Sequence, residues 1–250
     1  ITAQSNAPFL MIKKDTDQDL KETMITYAVE GEASASLYPA QAVRSMDNGV
    51  TTPIFQSAYG SDLNEADEAE NTRFTVGDAE KAVEQKYALS ETFQIGTKDA
   101  NAGSFSNLKV EKVEVASTAN TTGLDGAISV LLVCGDKWAV YKASADGNYQ
   151  LEKYADKTTA VNCTAADGVL ASKIDAGTTQ TVKAYVFYDG SDGNVKSNNI
   201  DALKNCNLKI TFVATPVNTV DTAKKADAGT DNADGKQEDV EDQGGEIATV

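Results

Sequence analysis

Apolar and polar residues alternate with a two-residue period in many short segments of residues 1–215, and Gly, Asp and Asn separate the segments. Asn207-Leu208-Lys209-Ile210-Thr211-Phe212-Val213 alternates until its last residues, as a half-buried antiparallel strand does. Val182-Lys183-Ala184-Tyr185-Val186-Phe187-Tyr188 is dense in β-branched and aromatic residues and stops at the turn signal Asp189-Gly190. Leu108-Lys109-Val110-Glu111-Lys112-Val113-Glu114-Val115 has the same pattern with a slip near Lys112, which predicts a β-bulge. The run from Ile128 to Cys134, apolar but for Ser129 and bounded by Gly126 and Gly135, predicts a strand covered on both faces. A second strand over 138–142 follows across the tight turn Cys134-Gly135-Asp136-Lys137, and further strands are expected over 149–154 and from Thr179 onward. Short strands at regular spacing with Gly/Asp/Asn turns predict an all-β fold, a jelly-roll-like antiparallel β-sandwich.

Helix is a minor element. Asp78 is placed to cap a short helix through Tyr87, with Ala79, Val83 and Tyr87 on one face. Residues 64–71 are acidic and polar and read as an exposed loop or a frayed helix. In residues 15–30, Asp19 and Glu22 imitate a capping box, yet Met24-Ile25-Thr26-Tyr27-Ala28-Val29 favours a strand, and a strand is the expectation. No internal repeat or heptad occurs. Composition shifts near Pro216: residues 216–250 hold nine acids against three lysines and no aromatic residue. Such a segment buries too little apolar surface to offset its ordering entropy, so 1–215 is expected as the folded domain and 216–250 as an acidic flexible tail.

Charge and composition then remove function classes. The chain has 22 basic and 38 acidic side chains, a formal charge of −16. That argues against nucleic acid and against an anionic membrane surface. It has no histidine, which removes Ser-His-Asp and Cys-His catalysis, zincin sites and imidazole bases. Cys134, Cys163 and Cys206 are widely spaced with no C-x-x-C, leaving one disulfide plus a thiol, or three buried thiols. No stretch reaches the ~20 apolar residues of a membrane span. A chain beginning at Ile1 suggests a processed, secreted form.

Candidate chemistry is sparse. Asp15-Thr16-Asp17-Gln18-Asp19 opens like a calcium loop, but Leu20 and Thr26 stand where Gly and Glu are needed, so it reads as an exposed acidic turn. Asp189-Gly190-Ser191-Asp192-Gly193-Asn194 puts oxygen ligands on a tight loop. Asp189, Asp192 and Asn194 are the calcium candidates, and the alternative is ordinary Asx-turn chemistry. No G-x-S-x-G, P-loop or G-x-G-x-x-G occurs, and no catalytic residue or cofactor is expected. A carboxylate pair is the one enzymatic route left open. Trp138, Tyr185, Phe187 and Tyr188 sit on strand patterns and read as core before they read as a sugar-binding platform.

The stretch Tyr185-Val186-Phe187-Tyr188-Asp189-Gly190-Ser191-Asp192-Gly193-Asn194, followed by Asn198-Asn199, Leu203 and Leu208-Lys209-Ile210-Thr211-Phe212, resembles the C-terminal hairpin of the TasA/camelysin group of secreted proteins from Gram-positive bacteria. Leu89-Ser90-Glu91-Thr92-Phe93-Gln94-Ile95 and the run from Ile128 to Cys134 fit the same pattern loosely. The likeness covers about 85–215 and fits 1–84 poorly. It implies a jelly roll, an extracellular or biofilm-matrix location at the bacterial cell surface, and subunits that polymerise with copies of themselves. Assembly in that group uses donor-strand complementation, in which an N-terminal segment completes the next subunit's sheet. The metalloprotease label some relatives carry does not suit a chain without histidine, and the acidic tail is a further departure.

The residues give this expectation some support of their own, because an all-β chain must manage its sheet edges and pairing them between subunits is one way. Ala7-Pro8-Phe9-Leu10-Met11-Ile12-Lys13 is short and apolar after polar residues, so 1–13 is the candidate donor, with Phe9, Leu10, Met11 and Ile12 as its anchors. A core strand of its own domain is the competing reading. The expected function is a non-enzymatic fibre or biofilm-matrix subunit whose partners are its own copies and other matrix or cell-wall components. A carbohydrate-binding surface adhesin is the alternative.

Overall fold

The computed structural model describes residues 2–5, 10–14, 25–26, 37–47, 49–57, 75–98, 100–101, 103–117, 127–143, 148–155, 160–161, 168–195 and 206–217. All of these fall in one unit, Ile1–Val217, and Asn218–Val250 form a second that lies outside the described residues. The expectations for 15–19, 64–71 and the acidic tail therefore fall outside them too.

Two sheets face each other. The first has five strands in the order β13 (Ala171–Ile174), β8 (Ser104–Ser117), β15 (Cys206–Val217), β1 (Thr2–Ser5) and β3 (Ile25–Thr26). The second has seven: β12 (Ala160–Val161), β11 (Tyr149–Ala155), β10 (Lys137–Ala143), β9 (Ile128–Cys134), β14 (Thr179–Tyr188), β7 (Leu89–Gly96) and β2 (Met11–Lys14). Within the two sheets every described pairing is antiparallel except β1 on β15, which is parallel. The result is the expected jelly-roll-like β-sandwich. Its core is built by the inward rows of both sheets, among them Leu208, Ile210 and Phe212 from β15, Val130 and Leu132 from β9, and Val182, Ala184 and Val186 from β14.

β8 slips where its pattern predicts. Thr211 pairs with Lys112 and Phe212 with Val110, so Glu111 is the extra residue of a bulge. That extra residue lets Val110 and Val113 both pack on the core, which strict alternation forbids. β9 and β10 join through Gly135-Asp136, with Gly135 in the left-handed region at φ +56°, and Cys134 opposite Lys137.

A third layer was not foreseen. β4 (Ala40–Asp47), β5 (Val50–Ser57) and β6 (Thr75–Gly77) form an antiparallel sheet. With the helix α1 (Ala79–Glu84), they cover the outer face of the seven-stranded sheet. This is why β9 is covered on both faces: Val130 and Leu132 face the sandwich core, while Leu131 faces the third layer. Asp78 caps α1 as expected, its carboxylate accepting the Lys81 N–H at 2.9 Å. The helix stops at Glu84 rather than Tyr87, because Lys86 turns left-handed (φ +63°) and the Tyr87 N–H returns to the Ala82 carbonyl at 2.7 Å. Tyr87 is buried all the same, beside Ala79 and Ala82.

The last strand runs two residues past the expected domain end: Pro216 pairs with Phe105 and Val217 with Ser104. Truncation after Val217 is therefore the clean cut. It is expected to leave the thermal midpoint of the body unchanged, since the removed composition buries little. Scanning calorimetry of the two chains checks this, and a loss of many degrees would show that the tail is part of the fold.

Candidate functional site

The assembly segment expected from the sequence lies along one side of the sandwich. β2 forms an edge of the seven-stranded sheet, pairing Met11 with Gly96, Ile12 with Ile95, Lys13 with Gln94 and Lys14 with Phe93. Leu10 and Ile12 point inward and are 2% and 1% exposed, packed with Phe93 and Ile95. Met11 is buried as well, and Phe9 lies outside the described residues. At the end of that inward row, Lys14 pairs with Glu91 at 2.5 Å, which closes an apolar row with a half-buried ion pair. The same segment also supplies a strand that sequence reasoning missed. β1 lies in the five-stranded sheet beside β15, with Thr2 opposite Lys209 and Ser5 opposite Phe212. Residues 2–14 thus add a strand to the β15 side of one sheet and to the β7 edge of the other. Among the described residues, β3 alone lies beyond β1 in the five-stranded sheet.

β7 is seated tightly on its other side. A Cβ built on Gly96 would meet the Thr178 carbonyl oxygen at 2.0 Å and the Thr179 Cα at 2.7 Å, both backbone. Gly96→Ala must therefore push β14 away or tilt the end of β7 that holds Met11. The expected cost is about 1–3 kcal/mol or more. Chemical denaturation checks it, and a neutral result would mean that the β7–β14 end can open freely.

The calcium candidates already have partners. The Asp189 carboxylate is 3% exposed; one oxygen meets Lys142 Nζ at 2.5 Å, and the other accepts the Ser191 N–H at 2.9 Å and the Ser191 hydroxyl at 2.6 Å. Asp192 accepts the Asn194 N–H at 2.8 Å. These are Asx-turn contacts that hold the loop to its own backbone. Burial pulls the Lys142 ammonium down, but the hydrogen bond and charge of Asp189 outweigh it and leave its pKa above the ordinary value. Among the described residues no group of His, Cys, Asp and Glu is arranged to hold a metal ion. Calcium is expected to leave the thermal midpoint unchanged, whereas Asp189→Ala should cost about 1–3 kcal/mol, since Lys142 loses its counter-ion in a partly desolvated site. A calcium-dependent rise in the midpoint, lost in Asp189→Ala, would contradict this.

The four aromatic residues singled out in the sequence pack in the interior. Trp138, Tyr185, Phe187 and Tyr188 are all buried, and Phe55 meets Phe187 edge to face at 5.2 Å. Tyr38 is the exposed aromatic among the described residues, at 51%. A cleft of about 410 Å³ opens between β8 and the β10–β11 side, lined by Lys109, Glu111, Tyr141, Tyr149 and Leu151 among others. Its mouth is wide and its charges are mixed, so it lacks the converging polar groups of an enclosed ligand site. Cys134 is a free, buried thiol whose pKa burial pushes up to about 11, which makes it inert at neutral pH. Cys163 and the side chain of Cys206 lie outside the described residues. No described helix is long and apolar enough to cross a membrane. No family model, curated protein or solved structure matches the chain.

Proposed function

We propose that the chain is a non-enzymatic structural subunit of an extracellular fibre or biofilm matrix at the bacterial cell surface, and that copies join by exchanging their N-terminal strands. The observation that carries this reading is the placement of β1 and β2. One short segment supplies the strand next to the edge of the five-stranded sheet and the edge strand of the seven-stranded one, and its partners β15 and β7 lie far away in sequence. A second copy offering the same segment would make the same hydrogen bonds and the same Leu10 and Ile12 contacts, which is the low-cost logic of strand exchange. Residues 27–36 link β3, the partner of β1, to Leu37, and a chain of that length spans up to roughly 35 Å when fully extended. The location, the self-association and the absence of catalysis rest on the resemblance to secreted fibre proteins and on the missing histidine chemistry.

Burial of Trp138, Tyr185, Phe187 and Tyr188 weighs against the carbohydrate-binding alternative, which needs exposed rings. Electron microscopy of the purified full chain over a range of concentrations tests the proposal. Unbranched fibres are expected, and monodisperse particles at every concentration would overturn it.

A further inference from the structure

The inward row of β7 ends in an acid. Ile95, Phe93 and Glu91 follow one another at alternate positions, and Leu10, Ile12 and Lys14 answer them from the β2 side. The first two positions of this match are apolar and closed to water, with Leu10, Ile12, Phe93 and Ile95 all at 2% exposure or less. Any strand with two aliphatic residues at alternate positions satisfies them. The third position is different. The Lys14 and Glu91 side chains are only 14% and 18% exposed and meet at 2.5 Å. Taking Lys14 away leaves the Glu91 charge in a largely dry site, which destabilises more than an exposed pair stabilises.

The chain itself holds a strand that this third position must refuse. Leu208-Lys209-Ile210-Thr211-Phe212 of β15 begins with the same Leu-x-Ile as Leu10-Met11-Ile12-Lys13-Lys14, and differs at the third alternate residue, Phe212 against Lys14. An apolar ring there would cover Glu91 without its lysine. Slipped registers are refused in the same way. A slip of one residue turns Ile12 and Lys14 to the other face. A slip of two residues toward Gly96 keeps the faces but carries Lys14 opposite Ile95, away from Glu91. Long-range charge favours the same segment: residues 1–14 carry Lys13 and Lys14 and no acid, in a chain whose net charge is −16.

We infer that Glu91 makes the β7 edge selective, so that it accepts an extended strand of the pattern aliphatic-x-aliphatic-x-lysine and rejects purely apolar ones. Within one chain this fixes β2 in its register. Between copies the inference rests on the proposed strand exchange, where it restricts the acceptor edge to the N-terminal segment of the same protein.

Charge swaps in the full chain test both statements. Lys14→Glu and Glu91→Lys each set like charges together, and each should speed hydrogen exchange at β2 by roughly 10-fold while leaving the centres of β9 and β14 protected. The double variant, with the pair reversed, should return β2 exchange close to that of the parent. Mixing the two single variants gives the second readout. Each of these chains repels its own segment, whereas the Lys14→Glu segment matches the Glu91→Lys edge and the unaltered Lys14 matches the unaltered Glu91. The mixture should therefore assemble where neither variant does alone. Single variants that leave β2 exchange unchanged would overturn the selection, and so would a double variant no better protected than the singles. Restored protection in the double variant with no assembly of the mixture would uphold the selection within the chain and refute strand exchange between copies.

Discussion

Phe212→Ala is expected to lower stability by about 3–5 kcal/mol, the range for deleting a large aromatic ring from a packed core. The side chain is fully buried between the sheets, in the inward row with Leu208 and Ile210 and on the strand that joins β8 to β1. Phe187→Ala should reach a similar cost by a different route, since its ring lies in the outer layer against Phe55. Lys209 is the control. It faces the opposite side of β15 from Phe212, half-exposed, with Glu114 at 3.6 Å. Its loss should stay within about 0.5 kcal/mol, because exposed pairs contribute little. Urea unfolding of the three variants checks the phase of the strand. Equal costs at Lys209 and Phe212 would show that β15 presents its other face to the core.

Deleting residues 1–14 is expected to abolish assembly and to weaken the folded body together. Leu10 and Ile12 leave the core, and each fully buried side chain of that size contributes about 1.5–3 kcal/mol. The backbone groups of β7 that face β2, and those of β15 that face β1, lose their strand partners. A synthetic peptide of residues 1–14 should bind the open groove, restore the thermal midpoint and, added to the full chain, block fibre growth. A truncated chain that still forms fibres would move the assembly surface elsewhere. A truncated chain that is unfolded and not rescued by the peptide would make the segment an ordinary internal strand.

Much of the sandwich is legible in the sequence because its signals are local. β15 alternates, β14 is dense in β-branched and aromatic residues, Gly135-Asp136 marks the hairpin between β9 and β10, and the slip at Lys112 marks a bulge one residue away, at Glu111. The third layer is hidden for physical reasons. Its inward positions on β4 and α1 are alanines, which carry almost no hydrophobic period. Pro53 also argues against a strand at β5, yet it is tolerated there because the described pairing of β6 begins only at Phe55, leaving that side of Pro53 outside the ladder. β1 is hidden for another reason. Thr2-Ala3-Gln4-Ser5 has no apolar pattern, and its strand conformation comes from β15, more than 200 residues away in sequence. The Asp189 loop shows the same limit. Its Asx-turn residues are visible, but the Lys142 that neutralises Asp189 arrives from β10 with no local signature.

Strand exchange is tested most directly by asking whose β2 lies on whose β7. Lys13 and Gln94 are register partners across that edge, so cysteines at these positions lie within disulfide reach when the strands pair. One chain carries Lys13→Cys and a second carries Gln94→Cys. The two are mixed as monomers, assembled and oxidised, and the linked peptides are mapped by mass spectrometry. Exchange predicts a disulfide between residue 13 of one chain and residue 94 of the other, abundant in fibres and absent from monomers held below the assembly concentration. Fibres without that cross-link, or mixtures that never assemble, would contradict it.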